Sequence, residues 1–194
     1  MDEWHQAGLG LDYSELRFGT TTAEWLRLGD NLRNRVRQRL GESAAGVEVV
    51  GSSSVLGLLA KPIVDLAIGL EPDQDVASVI AILQAVGWIY RGDAGRQGGH
   101  VLVLETRPWF RVAHAHVVAF QGLEWREYLQ FRDLLRRDPG ARRQYESVKR
   151  RLQLEAPSDR RAYTAGKTDV VTSLLETDSS VIREPVTDRR QSAR

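Results

Sequence analysis

Cysteine is missing from the 194-residue chain. That excludes disulfides, thiolate nucleophiles and cysteine-ligated zinc, and it leaves oxygen and imidazole as the donors for any metal. No stretch approaches the roughly 18 to 20 consecutive apolar residues of a membrane span. The start, Met1-Asp2-Glu3-Trp4-His5, lacks the charged-then-apolar pattern of a secretion signal. A cytoplasmic protein with no membrane partner is therefore expected. There is also no excess of one charge: 27 Lys and Arg oppose 26 Asp and Glu, a formal +1. General nucleic-acid binders carry a strong positive surplus, so a nucleic-acid partner is not expected. Lysine itself is scarce, with only Lys61, Lys149 and Lys167 among cations that are otherwise arginine. What is present is 42 % apolar residues, enough at this length for one substantial core.

Residues 1 to 20 scatter aromatics and glycines without a period, which predicts an irregular arm. Thr21 to Glu24 fits a capping box, after which Trp25, Leu28, Leu32, Val36 and Leu40 recur at helical spacing up to Gly41. Arg33, Arg35, Arg37 and Arg39 then form a solvated face. Val47 to Val50 and Ile63 to Leu70 read as buried strands, with Pro62 at the start of the second. A helix from Gln74 to Val86 follows, with Val76, Val79, Ile80, Leu83 and Val86 on one stripe. Strands are expected at Trp88 to Tyr90, Val101 to Glu105 and His114 to Phe120, the last two separated by a loop from Thr106 to Ala113. Helices are expected from Glu124, from Asp138-Pro139, and from Asp159 to Leu175. The fold class is α+β, a mixed sheet with flanking helices. The arm covers 1–20, the core 21–122, a C-terminal helical region 123–176 and a disordered tail 177–194.

Between the first two strands lies the stretch that carries chemistry, Gly51 to Asp65. It gathers small residues, Lys61 and Asp65 between apolar runs, a composition suited to a phosphate-bearing ligand. Tyr145 with Lys149 and Tyr163 with Lys167 repeat a Tyr-x-x-x-Lys spacing that puts each pair on one helical face. Their plain reading is core tyrosines with solvated lysines; the alternative is a lysine lining the cleft. Arg132 and Arg136 share a face and either grip phosphate or pair with Asp133.

Several residues occur together and in order: Glu48, then Gly51-Ser52-x-Ser54-Val55-x-Gly57-Leu58-x-Ala60-Lys61-Pro62-Ile63-x-Asp65, then His114-x-His116-Val117-Val118, then Phe131-Arg132-Asp133-x-Leu135-Arg136, with the two Tyr-x-x-x-Lys pairs. The set resembles the GrpB family, of the DNA polymerase beta-like nucleotidyltransferase superfamily. The resemblance implies a nucleotidyltransferase-type sheet and a nucleoside triphosphate whose phosphates are held by Gly51, Ser52, Ser54, Lys61, Arg132 and Lys149. It further implies Mg²⁺ or Mn²⁺ at a carboxylate pair beginning with Asp65, which is the catalytic candidate. The second carboxylate position is Ala67. Histidine and proline, frequent in the family, are replaced by Val49 and Leu56. Metal ligands to complete the site are sought on neighbouring strands, at Glu105 and His116 first and His114 after them. Glu48 is read as a carboxylate bracing the Gly51 turn. Three functions follow: nucleotidyl transfer to an unknown small-molecule or protein hydroxyl, binding of a nucleotide or coenzyme A precursor without chemistry, or another metal-assisted reaction such as hydrolysis using the two histidines.

Overall fold

The structure, a computed structural model, describes residues 3–93, 99–155 and 160–178, apart from the side chains of residues 93 and 160–165. Helix α1 (Glu3–Gln6), strand β1 (Leu11–Asp12) and strand β2 (Gly19–Thr20) occupy the segment expected to be irregular. That expectation is corrected by pairing partners far along the chain. β1 pairs with Phe110 and Arg111 of the main sheet and β2 pairs with β4 (Leu59–Ala60). Helix α2 (Ala23–Leu40) buries Trp25, Leu28, Leu32, Val36 and Leu40 as the periodicity requires. Its cap is Thr22, not Thr21, because the Thr22 hydroxyl accepts the Trp25 amide while the Thr21 hydroxyl donates to the Ser52 carbonyl.

The main sheet has the order β3 (Gly46–Val50), β5 (Val64–Leu70), β8 (Phe110–Ala119), β7 (His100–Arg107) and β6 (Trp88–Asp93). β5 and β8 are parallel and the other neighbours antiparallel, so the sheet is mixed. Helix α3 (Val76–Gln84), capped by Asp75, links β5 to β6. The expected loop from Thr106 to Ala113 is mostly strand, because Arg107 already pairs with Phe110 and only Pro108 and Trp109 turn the chain. A bulge between the Leu104–Ala113 and Glu105–Arg111 pairs has a further effect. It sends both Val112 and Ala113 into the core and leaves Arg111 on the same face as His114 and His116.

One face of the sheet presents Val47, Val49, Val64, Leu66, Ile68, Ala113, Ala115 and Val117 to α2 and α3, forming the main core. On the other face helix α4 (Leu123–Arg137) seats Trp125 against Val50, Ala67 and Val118. Helices α5 (Pro139–Glu155) and α6 (Arg160–Thr177) then build a second core. In it Phe131, Leu135, Tyr145 and Leu174 enclose Val55 and Leu58 of the loop after Gly51. The helical region therefore packs directly on the loop. Residues 179–194, where most of the tail was expected, lie outside the described residues. No helix among the described residues is long and apolar enough to cross a membrane.

Candidate functional site

β3 delivers the chain to Gly51, whose φ of 72° only glycine adopts without strain. A Cβ there would lie 2.7 Å from Asp65 Oδ2. The turn that follows, Ser52–Ser54, is thus folded against the Asp65 carboxylate, and Gly51 answers to both constraints.

Asp65 lies beside His114 in the β5–β8 ladder, and Ala67 beside His116. His114 Nδ1 is 3.3 Å from Asp65 Oδ1 and His116 Nε2 is 3.8 Å from the same oxygen. One ligand atom from each of the three residues lies within 4.8 Å of the other two. The rings stand nearly perpendicular, and His116 also packs on Tyr128 of α4 at 5.3 Å. Each of the three side chains keeps 24 to 27 % exposure, so the group is open to a ligand. Burial works to raise the pKa of Asp65, but hydrogen bonds to His114 and His116 outweigh it and hold the carboxyl well below the usual range. Burial lowers His114, against the pull of Asp65 and with help from the charges of His116 and Arg111. A carboxylate beside a His114 biased towards the neutral form is the protonation state in which such residues ligate metals. Ala67, the ladder neighbour of His116, is wholly buried against Val50, Val118 and Trp125.

Glu105 does not join this cluster. Its Oε1 accepts from the Tyr13 hydroxyl at 2.8 Å and from Arg91 at 3.2 Å, and its Oε2 accepts the Trp109 amide at 3.0 Å. Register explains why: the β7 partners of His116 and His114 are Val101 and Val103, and Glu105 lies further on, opposite Arg111. Among the described residues, the group that could hold a metal is Asp65, His114 and His116.

Lys149 departs furthest from its expected solvated state. It is 1 % exposed and donates to Ser52 Oγ at 3.2 Å and to the Leu59 carbonyl. The rings of Tyr145 and Phe18 face the ammonium at 4.8 and 5.3 Å. Desolvation drives its pKa well below the usual lysine value, and the charges of Lys167 and Lys61 push the same way. Lys149 is thus the lysine at Ser52, with Lys61 and Lys167 near enough to act on its charge. On the same helix Glu146 accepts the Leu59 amide at 2.7 Å, so α5 holds both backbone polar groups of Leu59. Nothing in the sequence marked Glu146; its spacing of three from Lys149 was the available signal. The side chain of Tyr163 lies outside the described residues.

The Ser54 hydroxyl donates to the Gly51 carbonyl at 2.7 Å and so closes the turn from within. Arg132 spends its guanidinium on Glu48 at 2.9 Å, the Val49 carbonyl and both oxygens of Asp133. Glu48 thus braces the loop through Arg132, not by accepting amides from the turn. Arg136 donates to the Ser54 carbonyl at 3.1 Å. These groups fix the loop from behind.

A family profile described as GrpB protein matches residues 17–177. The chain belongs to the GrpB family. The Glutamate-rich protein GrpB of Alkalihalophilus pseudofirmus is 30 % identical over 170 residues, 86 % of this chain and 98 % of the relative. A UPF0157 protein of Streptomyces coelicolor is 34 % identical, with 85 % of each chain covered. The crystal structure of conserved protein GrpB from Enterococcus faecalis superposes with a TM-score of 0.70 at 26 % identity, over 82 % of this chain and 98 % of that one. The structure of the GLD-2/RNP-8 complex matches with a TM-score of 0.51 at 16 % identity, over 80 % of this chain and 59 % of that one. At that identity the likeness concerns the fold, which is of nucleotidyltransferase type.

Proposed function

We propose that this GrpB-family protein transfers a nucleotidyl group from a nucleoside triphosphate to a hydroxyl acceptor, using a divalent cation held by Asp65, His114 and His116. The observation that carries the reading is the convergence of these three donors on the carboxylate against which the Gly51 turn is folded. One anionic oxygen and two imidazole nitrogens fit a first-row divalent ion, and favour Mn²⁺ over Mg²⁺. Such an ion, when bound, supplies Lewis-acid polarisation of the α phosphate.

The chain's own residues do the rest. Because Lys149 donates to Ser52 Oγ, the single hydroxyl proton of Ser52 is left to be given to a phosphate oxygen. Lys61 and Lys167, both part-exposed beside Lys149, attract the triphosphate. Arg132 and Arg136 keep the turn in register with Asp65. A second reading, nucleotide or coenzyme A precursor binding without transfer, is favoured by Ala67, whose buried methyl supplies no ligand.

The test is incubation with each α-labelled ribonucleoside triphosphate, Mn²⁺ or Mg²⁺, and a small-molecule and protein extract. Pyrophosphate release with label in an acceptor is expected, greater with Mn²⁺, and lost by about a hundredfold or more in Asp65→Asn. Equal turnover in Asp65→Asn would sink the assignment. Affinity without turnover would favour the binding module, and label released only as free monophosphate would favour hydrolysis.

A further inference from the structure

Beyond the histidines the same sheet face continues over apolar residues that the proposed reaction has not used. Val101 and Val103 of β7 and Ile89 of β6 alternate onto this face, their neighbours Leu102, Trp88 and Tyr90 belonging to the core opposite. At one end stand Asp65 and the histidines. At the other, three residues along β8 from His114 and roughly 10 Å away, Arg111 begins a cluster with Tyr13, Arg91 and Trp109.

Trp109 is the odd member. It occupies the second position of a two-residue turn with φ 67°, where glycine is the relaxed choice, yet the residue is 66 % exposed. It is held in place all the same. Its amide donates to Glu105 Oε2 at 3.0 Å and its ring meets Tyr13 edge-on at 5.8 Å. Tyr13 is fixed in turn by Glu105 and by the guanidinium of Arg111, 4.4 Å above its ring. A rigid, exposed indole beside arginines is a stacking platform for a planar ring, with cations placed for an attached anion. Asp12 and Glu105 offset two of the three charges of Arg91, Arg107 and Arg111, which leaves a small surplus, short of the extended positive track that follows a nucleic-acid backbone.

The geometry points to an acceptor that joins a planar heteroaromatic ring to a phosphate, a nucleoside monophosphate or a small molecule ending in one, with the ring on Trp109 and the phosphate at Arg91 and Arg111. This rests on the nucleotidyl-transfer reading. In that reaction the acceptor hydroxyl oxygen forms the new bond to the α phosphorus, pyrophosphate leaves with the electron pair of the broken bond, and the hydroxyl proton is lost to solvent.

The test is a titration of the protein, without triphosphate or metal, by calorimetry with the four ribonucleoside 5′-monophosphates. Ribose 5-phosphate, inorganic phosphate and a single-stranded oligoribonucleotide complete the set. At least one monophosphate should bind at least tenfold more tightly than ribose 5-phosphate. Trp109→Gly should lose about tenfold of that affinity while melting no lower than the parent, and Trp109→Phe should keep most of it. Binding in Asp65→Asn should match the parent, which separates this site from the transfer reading. The proposal is overturned if no monophosphate binds, if Trp109→Gly binds as well as the parent, if ribose 5-phosphate does equally well, or if the oligoribonucleotide binds more tightly than every monophosphate.

Discussion

Asp65 and Glu105 stand on the same sheet face, both are part-buried, and both were candidates to hold a metal. Their surroundings separate them. Glu105 is saturated by a phenol, a guanidinium and a backbone amide. Asp65 faces two imidazoles at 3.3 and 3.8 Å, groups that exchange a carboxylate contact for a metal without losing a charge. A carboxylate is available for chemistry when its partners are ligands as well, and structural when they are permanent donors. The strand pairing decides which carboxylate has which neighbours: Asp65 lies beside His114 in the β5–β8 ladder, while Glu105 lies opposite Arg111 across the bulge.

The largest expected effect tests how closely Asp65 depends on its turn. Gly51→Ala puts a methyl 2.7 Å from Asp65 Oδ2 and leaves an L-residue at positive φ. A loss of about 2 kcal/mol or more in urea denaturation is expected, together with loss of Mn²⁺ binding. A parent-like urea midpoint would show that the turn is not tied to the carboxylate.

The next effect concerns the loop's other side. The folded pKa of Lys149 is depressed, so between that value and the ordinary 10.5 the unfolded chain binds the extra proton. The Lys149 contribution to stability is therefore full above 10.5 and is lost as pH falls through the folded value. Urea midpoints taken from pH 7.5 to 9.5 should rise with pH on this account, and Lys149→Met should flatten the slope. Identical slopes in the two proteins would place the ammonium in water.

Much of the fold was legible because its signals are local. The α2 stripe, the apolar runs of β3 and β5, and Pro139 at the start of α5 all depend on neighbours within a few residues. Gly51 and Asp65 were legible for the same reason. The errors came where distant segments decide. β1 and β2 are two-residue strands with no periodicity, visible only through partners in β8 and β4. Glu105 was misjudged because alternation gives the face of a residue but not the register, which sets Val103 and not Glu105 opposite His114. Lys149 was read as solvated because no sequence pattern shows that Phe18, Tyr145 and Leu59 surround its ammonium. Arg132 was a candidate phosphate ligand until its partners Glu48, Val49 and Asp133 were seen together.

The account's central claim is that Asp65, His114 and His116 form one cation site and that Glu105 lies outside it. Mn²⁺ binding followed by electron paramagnetic resonance, in the parent, Asp65→Asn and Glu105→Gln, tests it most directly. One bound ion is predicted in the parent and in Glu105→Gln, with affinities equal within about twofold, and a loss of at least tenfold in Asp65→Asn. Undiminished binding in Asp65→Asn, or a loss confined to Glu105→Gln, would contradict it.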